Sequence, residues 1–246
     1  MGLDLRKIIS NHPDAMFIGS GLRHVPVNHL SRRSSSAEEE VEKMRIILKQ
    51  ILDPQYSYQF EDEVGSRTVK AKDVMIITPF NNQRKLIRAM LQELQDEALL
   101  TLPNGQDIID RLNIIAQFKE DPGMSRRTNV YKNTLAQYEA EYQDIVNQYE
   151  DYLYTLIIPG TVDSYQGKEA PIVLYSTVCS DIESAPRGMD FIFSPNRFNV
   201  SVSRAKALFI MIGNTALFDA TCKTPDEMRL ANAFCYFEEV AETINI

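Results

Sequence analysis

The sequence predicts an α/β fold, a mainly parallel sheet flanked by helices and interrupted by an inserted helical arm. Three observations predict it. Residues 74–77 are a continuous apolar run, as a strand buried on both faces of a parallel sheet requires, and residues 172–178 and 207–212 read as short, mainly apolar strands. Amphipathic helical segments alternate with these runs, the order in which parallel strands are connected. Residues 96–156 contain no such run, read as helical hairpin, and differ in charge from the rest of the chain.

Taken in order, residues 17–30 read as short extended pieces around Gly19 and Gly21, with Val25, Pro26 and Val27 on a strand. Ser34, Ser35 and Ser36 offer N-cap hydroxyls, and Glu39 stands at the capping-box distance from Ser36. Ala37, Val41, Met44, Leu48 and Ile51 recur every three or four residues and line one helical face, which Asp53-Pro54 ends. The polar stretch to Lys72 reads as a loop or a ragged hairpin. Strand 74–77 closes at Thr78-Pro79, and from Asn82 a second helix presents Leu86, Ile87, Met90, Leu91 and Leu94. Residues 156–158, 172–178 and 207–212 read as three further strands, the last ending at Gly213-Asn214. A short helix over 199–206 lies between the last two, and a final helix runs from about Pro225 to Ala241.

The α/β domain is thus expected over 1–95 and 157–246, with 96–156 as the arm. Leu135, Tyr138, Tyr142, Ile145, Tyr149 and Tyr152 share one face of a helix over 128–154, and the segment 107–119 is its expected antiparallel partner. That stripe packs within the arm or onto a protein partner; stacking on nucleic-acid bases is the other use of such tyrosines. The formal net charge is −8, and the arm, with eleven acidic and five basic residues, carries −6 of it. Acidity concentrated there leaves room for a basic groove elsewhere.

No apolar run approaches the roughly 20 residues that cross a bilayer. The first residues also lack the layout of a signal peptide, so a cytoplasmic protein without membrane association is expected. Cys179, Cys222 and Cys235 form no CxxC pair and are expected as buried free thiols. His12, His24 and His29 lack ligand spacing, so no metal site is expected.

The stretch GTVDSYQGK, from Gly160 to Lys168, looks superficially like a phosphate loop. Six residues separate its glycines where a P-loop has four, and Glu169 follows the Lys where a magnesium-binding hydroxyl is needed. A carboxylate there repels phosphate, so this is not a P-loop. Residues 160–169 followed by a strand instead resemble motif V of superfamily 1 helicases, in the Upf1/Dna2-like branch. Residues 196–206, NRFNVSVSRAK, resemble that branch's motif VI, and residues 77–83, ITPFNNQ, its motif IV. The three stand in the family's order, each beside the strand or helix it borders.

The resemblance implies a RecA-like domain that faces a P-loop RecA-like domain across a cleft holding ATP and Mg2+. Arg204 matches the arginine-finger position, where a guanidinium stabilises the charge spread over a transferring γ-phosphoryl group. Arg197, seven residues earlier, is two helical turns away if the helix reaches back that far, so that both face one cleft. Gly167 matches a position of close backbone approach to the nucleotide, and Glu169 one that binds the ribose hydroxyls. Gln166 either orients groups near the phosphates or makes a structural hydrogen bond, and Lys206 reads as a solvated helix-end charge. Thr78, Asn81, Thr161 and Ser176, at strand ends, match positions that touch the backbone of single-stranded DNA or RNA; turn capping is the alternative for each. Phe198, Ser201, Val202 and Ser203 replace the commoner Leu, Ala, Leu and Thr of motif VI, mild changes on a packed helix.

No Walker B, GDxxQLPP-like or QYRMHP-like segment is present. The expectation is therefore a C-terminal domain, or the smaller subunit of a split motor, that does not hydrolyse ATP by itself. Two rivals stand beside it: a non-catalytic RecA-like module that binds nucleic acid or protein, and an interaction protein dimerising through the arm. Both arginines argue against the first, since such a module has no use for a finger.

Overall fold

The structure, a computed structural model, describes residues 6–165, 167–180, 194–219, 222 and 224–246. The chain divides into two compact units, residues 1–90 with 157–246, and residues 91–156.

The larger unit is built on a five-stranded sheet of order β5-β6-β7-β2-β8, parallel throughout, the arrangement of a RecA-like α/β fold. Its strands are β2 (Gly21–Pro26), β5 (Val74–Ile77), β6 (Ala170–Ser176), β7 (Ala205–Gly213) and β8 (Glu242–Thr243). Every residue of β5 and β6 is buried, and β7 is buried from Ala207 onward, as two-sided cover demands. The β6–β7 register shifts between Ala170 and Ile172, where Pro171 has no N–H for the ladder. A second, antiparallel sheet joins β1 (Lys7–Ile9), β3 (Gln59–Asp62) and β4 (Gly65–Thr68), so the polar stretch before Lys72 is a hairpin.

Residues 156–158 are not a strand. Pro159 cannot donate to a ladder, and this segment meets β5 in a single bridge at Gly160, whose N–H donates to the Ile76 carbonyl (3.0 Å) and whose carbonyl accepts from Thr78 N–H (3.0 Å). Gly160 is required there: a Cβ would stand 2.8 Å from the Tyr165 ring and 2.9 Å from Ser164 Oγ.

Helix α1 (Glu38–Leu52) buries Val41, Met44, Ile47, Leu48 and Ile51. The expected Ser36/Glu39 capping box is not formed. Ala37 is the N-cap, and the Gln83 amide serves it instead: Oε1 accepts from Ala37 N–H (2.8 Å) and Nε2 donates to the Ala37 carbonyl (3.1 Å). Glu39 is drawn away by the Arg33 guanidinium (2.8 Å) and Leu30 N–H (2.9 Å); those bonds hold its carboxyl down to about pKa 2 against the opposing effect of burial. Gln83 lies on α2 (Asn81–Leu99), where it also donates to Ser176 Oγ (2.9 Å).

Glu40, on the apolar face of α1, is fully buried. Its carboxylate accepts from Ser176 Oγ (2.6 Å), Thr177 Oγ1 (3.2 Å) and Val178 N–H (2.8 Å), and lies 3.2 Å from His29 Nε2.

The motif VI helix, α5 (Pro195–Val202), starts four residues earlier than expected, because Ser194 caps it and Pro195 fills its first position. Phe198 anchors it against Tyr175, Phe209, Phe234 and Phe237, stacking on Phe234 at 4.3 Å, so the Leu-to-Phe departure is absorbed by packing. Phe234 and Phe237 come from α6 (Pro225–Val240), which a Thr224/Glu227 capping box opens.

In the smaller unit, α3 (Gly105–Glu120) and α4 (Asn129–Tyr149) run antiparallel: Phe118 stacks on Tyr131 at 5.6 Å, Arg111 pairs with Glu141 at 2.6 Å, and Asn104 donates to Tyr149 Oη at 2.9 Å. Tyr138, Tyr142, Tyr149 and Tyr152 pack on a cluster of Leu99, Ile108, Ile109, Ile115, Ile145 and Leu153, so the stripe is spent inside the arm and not on bases. Of the cysteines only Cys179 is buried; Cys222 is half-buried and Cys235 exposed, a departure from the expected buried thiols. Among the described residues no group of His, Cys, Asp or Glu is placed to hold a metal ion, and no helix is long and apolar enough to cross a membrane.

Each buried donor stranded without its acceptor costs about 1–3 kcal/mol. Glu40→Ala strands the Ser176 hydroxyl and Val178 N–H, while Thr177 Oγ1 keeps the Ile212 carbonyl at 3.5 Å, so urea denaturation of the chain is expected to show a loss of at least about 2 kcal/mol; a loss under about 1 kcal/mol means that the network does not hold the fold.

Candidate functional site

The expected site residues fall into two groups at opposite ends of the parallel strands, with Thr78 and Ser176 belonging to neither. The first group gathers where β6 and β7 begin. Arg204 sits just past α5, with its N–H on the Ser201 carbonyl (3.2 Å) and its own carbonyl accepting from Ala170 N–H (2.9 Å). Its Nε donates to the Val200 carbonyl (3.1 Å) and its Nη1 to the Lys168 carbonyl (3.4 Å). The guanidinium is half-buried, and among the described residues no carboxylate pairs with it. Two carbonyls fix its direction without neutralising its charge.

Lys168 belongs to the turn before β6 that carries Gly167 and Glu169, both exposed. Gly167 has φ +76°, a left-handed conformation that disfavours any side chain, and nothing lies within 4 Å of the position a Cβ would take. Handedness, not crowding, therefore requires the glycine, and the open space lets a ligand approach its backbone. Gln166 lies outside the described residues.

The second group surrounds a cavity of about 330 Å³ near the carboxyl end of β5. Asn81, Asn82, Thr161, Asp163 and Arg197 line it, with Tyr175 and Phe80 among its apolar walls. Asn81 and Asn82 open α2, where unpaired N–H groups and the helix dipole favour anions. Thr161 is held in a tight turn: its N–H donates to Ser164 Oγ (2.7 Å), which donates back to the Thr161 carbonyl (2.9 Å). The Arg197 guanidinium is 3.9 Å from Asp163 Oδ2, with side chains 41% and 78% exposed. Solvent screens so open a pair, and Arg197 borders the cavity.

The two arginines do not share the cavity. Because α5 ends at Val202, Arg204 lies off the helix and the two-turn spacing does not apply; Arg197 lines the cavity and Arg204 does not. Thr78 and Ser176 are fully buried. Thr78 Oγ1 accepts from Phe80 N–H (3.5 Å) and Ser176 belongs to the Glu40–Gln83 network, so their hydroxyls serve the fold and not a surface. Sequence reasoning overlooked Asn82 and Asp163, which stand inside the quoted motifs, and Glu40. Glu40 carried a signal: it is three residues after Ala37 and four before Met44, on the apolar face.

Burial pushes the Tyr165 phenol up to about 12, against the opposing Arg88 charge. Its hydroxyl donates to the Ile158 carbonyl, which closes the turn carrying Thr161 and Asp163. Tyr175, completely enclosed, is raised further by burial, with Arg197 opposing.

The sequence profile of the AAA domain family matches residues 23–216. The chicken protein "Putative helicase MOV-10" is 40% identical over 62 residues, 24% of this chain and 6% of the relative. The Drosophila melanogaster "Regulator of nonsense transcripts 1 homolog" is 34% identical over 77 residues, 31% of this chain and 6% of the relative. "Helicase SEN1" of Saccharomyces cerevisiae is 24% identical over 163 residues, 66% of this chain and 6% of the relative. The chain thus spans a small fraction of the length of each of these relatives.

A phenol raised in the folded state favours folding below its unfolded value, and that contribution is lost as pH rises through the folded value. The stability of the chain is therefore expected to fall between pH 10 and about 12 as Tyr165 is forced to ionise. Tyr165→Phe is expected to flatten that decline in urea titrations across the interval; an unchanged slope excludes Tyr165 as its source.

Proposed function

We propose, since the chain belongs to the AAA domain family in its Upf1-like superfamily 1 helicase branch, that it is one RecA-like half of an ATP-driven motor on single-stranded DNA or RNA. The observation that carries this reading is Arg204, a cation held in direction by two carbonyls and left without a carboxylate partner among the described residues.

The chain has no phosphate loop, so ATP and Mg2+ are held mainly by the P-loop RecA-like domain that this one faces. The residues present suit the nucleotide's near edge. Gly167 leaves its backbone open, Glu169 offers an exposed carboxylate to ribose hydroxyls, and Arg204 offers a guanidinium to phosphate. Bound ATP supplies a phosphoryl group whose transfer spreads negative charge over its oxygens. Arg204 lowers the cost of that charge, and its fixed orientation means little reorganisation when the domains close. The carbonyls of Val200 and Lys168 act as positioning groups, tying the arginine to both α5 and the turn carrying Glu169.

The cavity at the other end of the sheet is the grip. Asn81, Asn82 and Thr161 present amide and hydroxyl donors, and Arg197 a charge, to the phosphates of a single strand. Such contacts carry no sequence information, which suits a protein that must move along its ligand. Opening and closing against the P-loop domain shifts one grip relative to the other.

In the assembled motor, Arg204→Ala is expected to lower ATP turnover at least about a hundredfold while ATP affinity changes by less than about tenfold. Arg204→Lys restores little, because an ammonium cannot reproduce the planar fork held by two carbonyls. Unchanged turnover removes the finger assignment and leaves the non-catalytic binding module.

A further inference from the structure

The charges of the arm are segregated along its length. Lys119, Arg126, Arg127 and Lys132 fall within the fourteen residues around the α3–α4 turn, opposed there only by Glu120 and Asp121. The rest of residues 96–156 holds nine carboxylates and one cation, Arg111, which is spent on Glu141. The turn has a net charge of +2 and the stem −8. Seven residues of helix, about 10 Å, separate Lys132 from Glu139, and the screening length at physiological salt is about 8 Å. The potential at the turn is therefore set by its own residues.

The turn is shaped as well as charged. Arg126 Nη2 donates to the Lys119 carbonyl (3.1 Å) and the Glu120 carbonyl (3.4 Å) at the end of α3. Thr128 caps α4 through Tyr131 N–H (3.1 Å) and donates to the Ser125 carbonyl (2.9 Å). Asp121 accepts from Gly123 N–H (3.2 Å). All four cations are exposed, and the Arg127 and Lys132 side chains have no hydrogen bond or ion pair with any described residue.

We infer that the α3–α4 turn is a second contact for the phosphate backbone of nucleic acid, with Arg126, Arg127 and Lys132 each meeting a phosphate while the acidic stem keeps the strand from lying along the arm. This rests on the proposed function only in that the chain meets nucleic acid. A polyanion approaching the arm is repelled by the stem and attracted at the turn, so the contact is confined to the tip and is independent of sequence.

The test is a salt titration of the full chain with a fluorescein-labelled single strand, read by anisotropy. Neutralising three phosphate contacts on a single strand contributes about −2 to the slope of log Kobs against log salt. Arg126→Gln/Arg127→Gln/Lys132→Gln should reduce the slope by about that amount, and Glu120→Lys should steepen it by about 0.7. An unchanged slope in the triple variant, or no binding by the parent chain at low salt, overturns the inference. Binding of the turn to an acidic protein surface, with the nucleic-acid slope unaffected, overturns it too. Far-ultraviolet circular dichroism checks that the exposed substitutions leave the helices intact. The outcome is separable from the motor reading, because Arg204→Ala alters turnover and not this slope.

Discussion

A carboxylate with no access to water, Glu40, fixes the end of the sheet on which one of the two candidate sites is built. It draws together Ser176, Thr177 and Val178 from the end of β6 and His29 from the segment before α1. Gln83 extends the same network from α2 to the start of α1 and back to Ser176. A buried charge is costly unless its lone pairs are occupied, and here donors converge on it from separate segments. Displacing any one of those segments leaves polar groups unpaired in the interior, so the network admits one arrangement of α1, α2 and the β6 terminus. Asn81 and Asn82, the two residues before Gln83 at the start of α2, take their positions from it.

A second constraint, apolar this time, sets the other end. Phe198 is buried among four aromatic rings drawn from β6, β7 and α6. That packing holds α5 down on the sheet, and the residues at its two ends inherit the placement. Arg197, beside the anchor, reaches the cavity at the carboxyl end of β5. Arg204, beyond the last turn, is caught by the carbonyls of Val200 and Lys168 where β6 and β7 begin. One short helix thus serves both sites, and a movement of α5 would be felt at both.

The fully buried strands were legible in the sequence because two-sided burial leaves only apolar residues, and a run of them has no other common explanation. The same reasoning misread residues 156–158, where Pro159 removes the donor that a strand needs and the chain makes one bridge at Gly160. The short motif VI helix was misplaced by four residues because its start depends on Ser194-Pro195, a capping pair outside the quoted motif. Thr78 and Ser176 carried the right residue types at strand ends, yet a hydroxyl there can face the core or the solvent; Glu40 and Gln83 decide it for Ser176, and the turn to Phe80 for Thr78. Composition hid the charge pattern of the arm, since a net of −6 conceals a positive turn.

A net charge of −8 is an electrostatic difficulty for the proposed contact with polyanions, and the placement of the charges offsets it. Much of the excess acidity lies on the arm. In the larger unit Arg204 is oriented by carbonyl dipoles, and among the described residues no carboxylate pairs with it. A close carboxylate would have fixed the Arg204 side chain equally well, but it would also have cancelled the charge that a phosphate is proposed to meet. Orientation by neutral acceptors keeps that charge available, at the cost of a weaker hold in the absence of ligand. Such an arrangement has little value for stability alone, which is why Arg204 is read as serving an anion from outside the chain.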